Sequence, residues 1–550
     1  MAAALADLGV RTVFGIGISD SGPLADALDR HRVRLITATR ADSIAAMTIA
    51  HAHVSGHVSG AADGSVDSNV TILLASDSAV ATALPSIVTA VTSRTPLLVL
   101  APLTGAHTAN TALAQTALLR QAGALIRDLT DLRQARTVLT KAARTAQTHH
   151  RPVLLRIATS QYPTLPAPTS TTTGTSSREV PALDLLAVPA AEPAAVEELA
   201  ALLGRALRPV FIVGRGATHA AATIESLADQ AGALLATSVG AHGVFVGNPW
   251  HIGIAGVLAT PDMADLLAAA DAVVSWGCTL DDWVTGHGSL IAAEAELAQI
   301  DINPAALGLH RSIHLGVAGD AGRTAQALQQ VLAGHHTRYR TEPVRERIAA
   351  QASWHDVGYQ PTLETADRID PRTVTLVLDT ILPTERTLIV EPNTILGYPI
   401  SYLRVPDADS FWLAPPGLGL ASGIGAALAR PDRSAVVALD TDTALASAAD
   451  LEAAARLRLP LLVIVYDEDD PVDADTHEPE AAGLAVRLAR FATAGHGCRS
   501  AVIRRPADLT EVTSWAARPD SQPLLLHVHV TRNAWLLAEQ AGTPLPGQAC

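Results

Sequence analysis

The strongest constraint on the fold of this chain is a repeated alternation of short apolar runs with alanine-rich helical stretches. Runs such as 70–74, 210–213 and 435–439 each have the length of a single strand. Continuous apolar runs of this kind are typical of parallel strands that are buried on both faces. Because helical stretches separate the runs, right-handed crossovers are expected, and the sequence predicts an α/β fold of doubly wound parallel sheets.

Two polar joints divide this alternation into three blocks. Residues 163–193 are rich in Thr, Ser and Pro, and residues 334–368 are polar and charged, so both segments are expected to be linkers. The predicted domains are therefore 1–162, 194–333 and 369–550, each with its own parallel sheet. Three cores in 550 residues agree with the usual size of domains.

The composition argues against several classes of function. The chain has a formal net charge of −15 and no basic stripe that would bind a nucleic acid. It has no apolar run of the roughly 18 residues that a membrane span needs, and its first residues lack the basic start of a signal peptide. Cys278, Cys498 and Cys550 are far apart and form no disulfide or zinc motif. A cytoplasmic protein without a membrane partner is expected.

Motifs in all three blocks resemble those of one family. Residues 274–286 read Val-Ser-Trp-Gly-Cys-Thr-Leu-Asp-Asp-Trp-Val-Thr-Gly, and residues 298–308 read Ala-Gln-Ile-Asp-Ile-Asn-Pro-Ala-Ala-Leu-Gly. Residues 9–16 in the first block and 417–433 in the third block match as well. These motifs are similar to those of the acetolactate-synthase-like thiamine-diphosphate enzymes, and the resemblance extends over nearly the whole chain.

The resemblance implies a pyrimidine-binding domain, a central domain and a diphosphate-binding domain, in that order. It also implies a homodimer or homotetramer, because the family builds each site between two subunits. The expected cofactors are thiamine diphosphate and Mg²⁺, and the expected substrate is a small 2-oxo acid. Such enzymes decarboxylate the acid and either release an aldehyde or ligate the carbanion to a second carbonyl. Residues 214–216 lie where some relatives hold FAD or an ADP-type nucleotide.

Asp42 and Gln115 are the catalytic candidates that the resemblance places in the first block. The family has a glutamate at the position of Asp42, and that glutamate protonates the aminopyrimidine ring of the cofactor. Aspartate is shorter by one carbon–carbon bond, about 1.5 Å, so Asp42 would need to move inward or use a bridging water. The alternative for Asp42 is an N-terminal helix cap. The alternative for Gln115 is a solvated position on a helix.

The family's metal motif falls at residues 438–444. Asp442 is expected to hold Mg²⁺, with Asp467 in place of the usual asparagine and Asp469 offering its main-chain oxygen, since oxygen ligands suit this ion. Three adjacent residues are candidates for binding the cofactor: Thr441, Thr443 and Ala444. The acidic turn 467–470 brings negative charge toward a diphosphate, so a solvated acidic loop or a cation site without diphosphate is the alternative.

Gly417 and Gly419 are further cofactor-binding candidates, because glycine-rich turns bind diphosphate through main-chain N–H groups. This assignment requires a shifted alignment with the family. An ungapped alignment instead puts Phe411 and Trp412 at the family's glycines and Pro416 at the residue that bends the cofactor. In that alignment the two aromatic rings fill part of the space that the pyrimidine needs.

Two hypotheses about function follow. The first is a thiamine-diphosphate-dependent decarboxylase or carboligase. The second is a cofactor-free protein of the same fold that acts as a regulatory or structural subunit, or binds another ligand in the remodelled cleft. Outside these motifs, His51 and His53 fall in a segment expected to be an exposed loop, and His527 and His529 alternate on a predicted strand, where a core or rim position is expected.

Overall fold

The protein forms three six-stranded parallel sheets with helices packed against them, as seen in a computed structural model. The predicted fold class is confirmed. The chain divides into two compact units: the first, residues 1–52 and 58–189, holds the first sheet, and the second, residues 53–57 and 190–550, holds the other two. The structure describes residues 1–16, 23–38, 40–55, 71–75, 79–103, 109–158, 190–332, 339–359, 364–365, 367–468, 497–517 and 522–532.

The first sheet is built on buried aliphatic strands. Its strands are β1 (Thr12–Ile16), β2 (Arg34–Ile36), β3 (Thr71–Ala75), β4 (Leu97–Leu103), β5 (Leu125–Leu129) and β6 (Pro152–Ala158). Its helices are α1 (Ala2–Asp7), α2 (Pro23–Arg30), α3 (Ala41–Val54), α4 (Ala79–Thr92), α5 (Ala109–Ala122) and α6 (Ala135–His149). The strand order is β2-β1-β3-β4-β6-β5. Leu139 of α6 packs with Leu98 and Val153 of the inner strands in one core.

The second sheet has the order β12-β11-β10-β7-β8-β9. Its strands are β7 (Pro209–Val213), β8 (Leu234–Thr237), β9 (His251–Ile254), β10 (Ala272–Trp276), β11 (Glu296–Asp301) and β12 (Leu315–Ala318). Its helices are α7 (Pro193–Arg205), α8 (Ala221–Ala231), α9 (Pro261–Ala268), α10 (Asp282–Thr285), α11 (Ala321–Val331) and α12 (Glu342–Gln351). Phe211 and Trp276, on adjacent strands, meet edge to face in the core.

The third sheet has the order β14-β13-β15-β16-β18-β17. Its strands are β13 (Arg386–Val390), β14 (Phe411–Leu413), β15 (Ser434–Asp440), β16 (Leu461–Asp467), β17 (Arg499–Ile503) and β18 (Leu524–His529). Its helices are α13 (Pro371–Ile381), α14 (Gly397–Tyr402), α15 (Gly419–Ala429), α16 (Thr441–Ala446), α17 (Asp450–Leu457) and α18 (Thr510–Ala516). Gly423 lets α15 lie close to β15, because a Cβ there would meet Val437 at 2.2 Å.

One expectation about loops is wrong. Helix α3 extends to Val54, so His51 and His53 lie on a helix and not in an exposed loop. Nδ1 of His51 lies 2.9 Å from Oγ1 of Thr71, and burial lowers the pKa of His51 to about 4. The second joint contains α12, whose Arg347 forms ion pairs with Asp262 and Asp265 of α9.

The second and third sheets share apolar contacts. Leu258, which precedes α9, is buried within the core of the third sheet, and Nε1 of Trp354 donates a hydrogen bond to its carbonyl oxygen at 2.8 Å. Among the described residues, no helix combines the length and apolar character needed to cross a bilayer.

Candidate active site

The carboxyl edge of the third sheet gathers polar side chains from three neighbouring strands. Strands β13, β15 and β16 are parallel, so the loops that follow them lie on the same edge. Ligands of open α/β sheets bind outside this edge. Oγ1 of Thr394, in the loop after β13, lies 3.4 Å from a carboxylate oxygen of Glu468, after β16. The two outer loops therefore meet across the end of β15.

Glu391 follows β13 and is completely buried. Its carboxylate accepts hydrogen bonds from the N–H groups of Gly417 at 2.7 Å and Gly419 at 2.5 Å. Burial raises the pKa of Glu391, the two N–H groups oppose that shift, and the nearby charge of Asp440 adds to it. A Cβ on Gly419 would lie 2.5 Å from Oε1 of Glu391, so glycine is required here. The N–H groups of Gly417 and Gly419, which were predicted to bind a phosphate of the cofactor, thus donate to the carboxylate of Glu391.

Asp440 ends β15 and caps the short helix α16. Its Oδ1 accepts hydrogen bonds from the N–H of Thr443 at 2.8 Å and from the hydroxyl of the same residue at 2.7 Å. Ala444 is buried, whereas Asp442, the expected metal ligand, is exposed in the first turn. Thr441 is buried, and its Oγ1 has no hydrogen-bond partner in the described part of the chain. Thr443 is therefore bound to the helix cap, whereas the hydroxyl of Thr441 is unused by the described residues, although both residues were predicted to bind the cofactor.

Asn393 is a second polar residue at this edge, and it is half-buried. Its Oδ1 accepts a hydrogen bond from the N–H of Ile395 at 3.2 Å, but its Nδ2 has no partner among the residues described. Buried polar atoms are almost always hydrogen-bonded. Asn393 Nδ2 and Thr441 Oγ1 are therefore hydrogen-bonding groups that the described residues leave unused. The sequence analysis missed Glu391 and Asn393, although polar residues directly after a predicted buried strand were a usable signal.

Of the three predicted metal ligands, the structure describes Asp442 and Asp467. Asp467 is buried at the end of β16, and its Oδ2 lies 2.6 Å from Nε2 of His527 on β18. His529 lies beside this pair, and burial, together with the charge of His527, lowers the pKa of His529 to about 4. Asp442 is exposed on α16, and Asp469 lies outside the described residues.

Phe411 and Trp412 are both buried in the edge strand β14. The ring of Phe411 packs edge to face on His242 of the central block. Nε1 of Trp412 has no partner within the described ranges. The two rings form part of the core of the second compact unit, and whether they occupy the space of a pyrimidine stays a prediction.

In the first sheet, Asp42 lies in the first turn of α3. Arg40 donates two hydrogen bonds to its carboxylate, at 3.1 and 2.7 Å, and the N–H of Ser43 donates a third at 2.8 Å. Burial alone would raise the pKa of Asp42, but the hydrogen bond and charge of Arg40 outweigh it and lower that pKa. Gln115 lies in α5, and its side chain is outside what the structure describes.

The glycines at 214 and 216 serve packing within the second sheet. The N–H of Gly214 donates to the carbonyl of Trp276 at 2.9 Å, and the N–H of Gly216 donates to that of Gly277 at 3.1 Å. A Cβ on Gly214 would lie 2.4 Å from the Gly277 oxygen. These donors are already used within the fold, so they are not free to bind FAD or an ADP-type nucleotide.

Solved structures share this three-sheet architecture. A benzoylformate decarboxylase from Polynucleobacter necessarius superposes with a TM-score of 0.68 at 15% identity, covering 96% of this chain and 98% of that chain. A thiamine-diphosphate-dependent 4-hydroxybenzoylformate decarboxylase from Rhodococcus jostii RHA1 gives 0.70 at 17% identity, covering 97% and 99%. At this identity the likeness defines the fold, which is that of a three-domain α/β protein.

Three models of the thiamine pyrophosphate enzyme family match in order. The N-terminal TPP binding domain matches residues 1–123, the central domain 196–328, and the C-terminal TPP binding domain 401–528. Together they match more than half of the chain, which belongs to the thiamine pyrophosphate enzyme family. Because thiamine pyrophosphate is another name for thiamine diphosphate, the two TPP-binding domains imply that cofactor.

Similar sequences include acetolactate synthases and a decarboxylase. The acetolactate synthase isozyme 2 large subunit of Escherichia coli is 26% identical over 285 residues, which are 50% of this chain and 50% of that protein. A protein of Pseudomonas aeruginosa described as a probable 2-ketoarginine decarboxylase is 29% identical over 340 residues, 58% of this chain and 56% of that protein. The chain spans about half the length of these relatives. The comparisons do not support the cofactor-free alternative, or FAD or an ADP-type nucleotide.

Proposed function

We propose that this chain is a thiamine-diphosphate-dependent enzyme that decarboxylates a small 2-oxo acid and then releases an aldehyde or ligates the carbanion to a second carbonyl. The observation that carries the proposal is the ordered match of all three domains to thiamine pyrophosphate enzymes. The similar proteins named as decarboxylases act on 2-ketoarginine, benzoylformate and 4-hydroxybenzoylformate, all of which are 2-oxo acids. A homodimer or homotetramer is part of this proposal.

The described residues fit the charged end of the cofactor. Asn393 Nδ2 and Thr441 Oγ1 are buried and available at the edge where a diphosphate would bind. We propose that they donate hydrogen bonds to phosphate oxygens. Mg²⁺ usually keeps several waters and takes one or two carboxylates together with phosphate oxygens, and the exposed Asp442 beside Thr441 suits such a hydrated ion. Bound thiamine diphosphate supplies a nucleophilic carbon and an electron sink for decarboxylation.

Asp42 is the proposed proton-transfer residue of the first domain, as the resemblance implies. The Arg40 guanidinium lowers the pKa of Asp42 and keeps its carboxylate ionised near neutral pH. An ionised carboxylate favours the protonated form of a neighbouring ring nitrogen, because it accepts a hydrogen bond from the resulting N–H and offsets its positive charge. The ion pair also orients the carboxylate, because a bidentate guanidinium contact fixes its plane.

The experiment that tests cofactor binding is a titration of the whole protein with thiamine diphosphate and Mg²⁺, followed by melting temperature. A ligand at about 100 times its dissociation constant stabilises the native state by about 2.7 kcal/mol. Thr441→Val should weaken binding by about tenfold or more, since a hydrogen bond to a charged group contributes about 1.5–3 kcal/mol. Thr387→Val removes another buried hydroxyl without a partner among the described residues, at the opposite edge of the sheet, and this variant should bind like the wild type.

Release of carbon dioxide from a panel of aliphatic and aromatic 2-oxo acids then identifies the substrate class. Product analysis separates the two outcomes, because an aldehyde indicates simple decarboxylation and a 2-hydroxyketone product indicates ligation. The proposal is wrong if millimolar thiamine diphosphate with Mg²⁺ leaves the melting temperature of the wild type unchanged.

A further inference from the structure

Two histidines and an aspartate from adjacent strands form a compact cluster at the carboxyl edge of the third sheet. Strands β16 and β18 pair in parallel, with Asp467 opposite His529 and Val465 opposite His527. Alternate residues of a strand share one face, so both imidazoles lie on the side of the Asp467 carboxylate. One nitrogen of each ring and one carboxylate oxygen all lie within 4.8 Å of one another.

The cluster is buried and has unused hydrogen-bonding capacity. The side chain of His527 is 1% exposed, that of Asp467 9% and that of His529 18%. Nδ1 of His527 and Nε2 of His529 are buried without a hydrogen-bond partner in the part of the chain that the structure describes. The nitrogens nearest the Asp467 carboxylate are the other two, Nε2 of His527 and Nδ1 of His529. These two nitrogens, together with Oδ2 of Asp467, are the potential ligand atoms.

We propose that Asp467, His527 and His529 bind a transition-metal ion of the Zn²⁺ class. Two imidazoles and a carboxylate favour Zn²⁺, Co²⁺ or Fe²⁺, whereas Mg²⁺ prefers oxygen ligands alone. With metal–nitrogen bonds of about 2.0–2.1 Å, neighbouring ligand atoms of a tetrahedral ion lie about 3.3 Å apart. Oδ2 of Asp467 lies 2.6 Å from Nε2 of His527 and 3.8 Å from Nδ1 of His529, so small side-chain rotations suffice.

The strands hold the ligands in place. Arg368 donates hydrogen bonds to the main-chain oxygens of Asp467 and Val530, which ties the ends of β16 and β18 together. Three protein ligands leave a fourth position for water or a substrate oxygen, as in catalytic zinc sites. Asp442, the proposed Mg²⁺ ligand, is not a member of this group among the described residues. In this proposal Asp467 binds the transition metal and does not bind Mg²⁺.

Two other buried or half-buried His–Asp pairs in the chain provide a comparison. His219 with Asp320 and His355 with Asp379 each have their atoms 3.1 Å apart. Neither pair belongs to a group of three potential ligands among the described residues. The second histidine therefore distinguishes the Asp467 cluster from ordinary structural His–Asp pairs.

The test uses the full chain, stripped with a chelator and titrated with Co²⁺ or Zn²⁺ alone, without thiamine diphosphate. We expect one ion per chain, a Co²⁺ visible spectrum typical of nitrogen and oxygen ligands, and a raised melting temperature. His529→Gln should weaken binding by more than about a hundredfold, because even loss of an outer-shell partner costs 10–100-fold. His219→Gln, the matched control, should bind like the wild type.

His527→Ala is a second variant for the ligand set, and far-UV circular dichroism confirms whether it folds. Equal metal binding by the wild type and a folded His529→Gln protein would overturn the proposal. Titrating His529→Gln with thiamine diphosphate and Mg²⁺ distinguishes the two sites. A retained shift in melting temperature supports a separate metal site, whereas loss of that shift together with Co²⁺ binding would mean one shared site and would overturn it.

Discussion

At the scale of single residues, two carboxylates accept hydrogen bonds from main-chain N–H groups at the carboxyl edge of the third sheet. Glu391 binds the N–H groups of Gly417 and Gly419, and Asp440 caps the helix that begins at Thr441. Main-chain donors of this kind hold phosphate when they are free. Because side-chain oxygens already satisfy these N–H groups, the buried side-chain groups that stay available among the described residues of this edge are Asn393 Nδ2 and Thr441 Oγ1.

Asp42 allows a test that separates catalysis from helix capping. We expect Asp42→Asn to lower kcat/KM for decarboxylation by about 100-fold or more, the usual contribution of general acid–base catalysis. The matched control is Asp128→Asn, since Asp128 is also paired with an arginine, Arg156, and is similarly exposed in the same sheet. Both variants should lose little stability, because partly exposed ion pairs contribute about 0–1 kcal/mol.

Steady-state kinetics with a 2-oxo acid substrate provide the measurement. A similar and small loss of activity in Asp42→Asn and Asp128→Asn would show that Asp42 only caps its helix. The pH profile adds a second criterion. Because Arg40 lowers the pKa of Asp42, Arg40→Gln should move the acid limb of kcat/KM to higher pH.

At the scale of elements, the inner strands follow from the sequence and most edge strands do not. The apolar runs at 70–74, 210–213 and 435–439 correspond to the inner strands β3, β7 and β15, whereas β5, β9, β12, β14 and β17 each lie at an edge of their sheet. Inner strands are buried on both faces and therefore read as continuous apolar runs. An edge strand such as β5 carries Arg127 and Asp128 and is only partly buried, so its pattern resembles that of a loop.

A buried ion-pair network joins α13 and β13. Asp379 of α13 is fully buried and contacts Arg386, Arg404 and His355. Burial alone would raise the pKa of Asp379, but the hydrogen bond from His355, the N–H of Arg404 and the charge of Arg386 hold that pKa well below its usual range. We expect Asp379→Asn to cost about 3–5 kcal/mol near neutral pH, because it leaves buried arginine charge unpaired.

The loss of stability in Asp379→Asn should decrease as the pH falls. A carboxyl group with a depressed folded pKa stabilises the fold above its unfolded pKa and loses that contribution as the pH falls toward the folded value. The difference in unfolding free energy between the wild type and Asp379→Asn should therefore shrink below about pH 4. Urea unfolding at several pH values measures it. Asp432→Asn, which breaks an exposed pair with Arg430, should have little effect at any pH.

At the scale of the whole molecule, the second compact unit holds two sheets that share a core. Leu258, between β9 and α9, packs with residues of the third sheet. We expect Leu258→Ala to cost about 2–5 kcal/mol, as for other buried leucines, and to loosen both sheets. Hydrogen exchange measured by mass spectrometry should show faster exchange in peptides from β8 and from β13.

Leu207→Ala is the control for this prediction, since Leu207 is 47% exposed and its loss should change neither sheet. Faster exchange confined to one sheet in Leu258→Ala would show that the sheets unfold independently. Sedimentation of the wild type addresses the proposed assembly, because a homodimer has twice the 57.0 kDa mass of the chain.

The sequence by itself determined the three α/β blocks, the inner strands and the family, because burial patterns and packing motifs are local properties of the chain. It also placed Asp42, Thr441 and Asp467 among the candidate residues. Only the tertiary structure decided that Glu391 fills the donors of Gly417 and Gly419. It likewise brought His527 and His529 to Asp467, about 60 residues away. Such contacts depend on the order of the strands in the sheet, which a linear pattern of hydrophobicity does not encode.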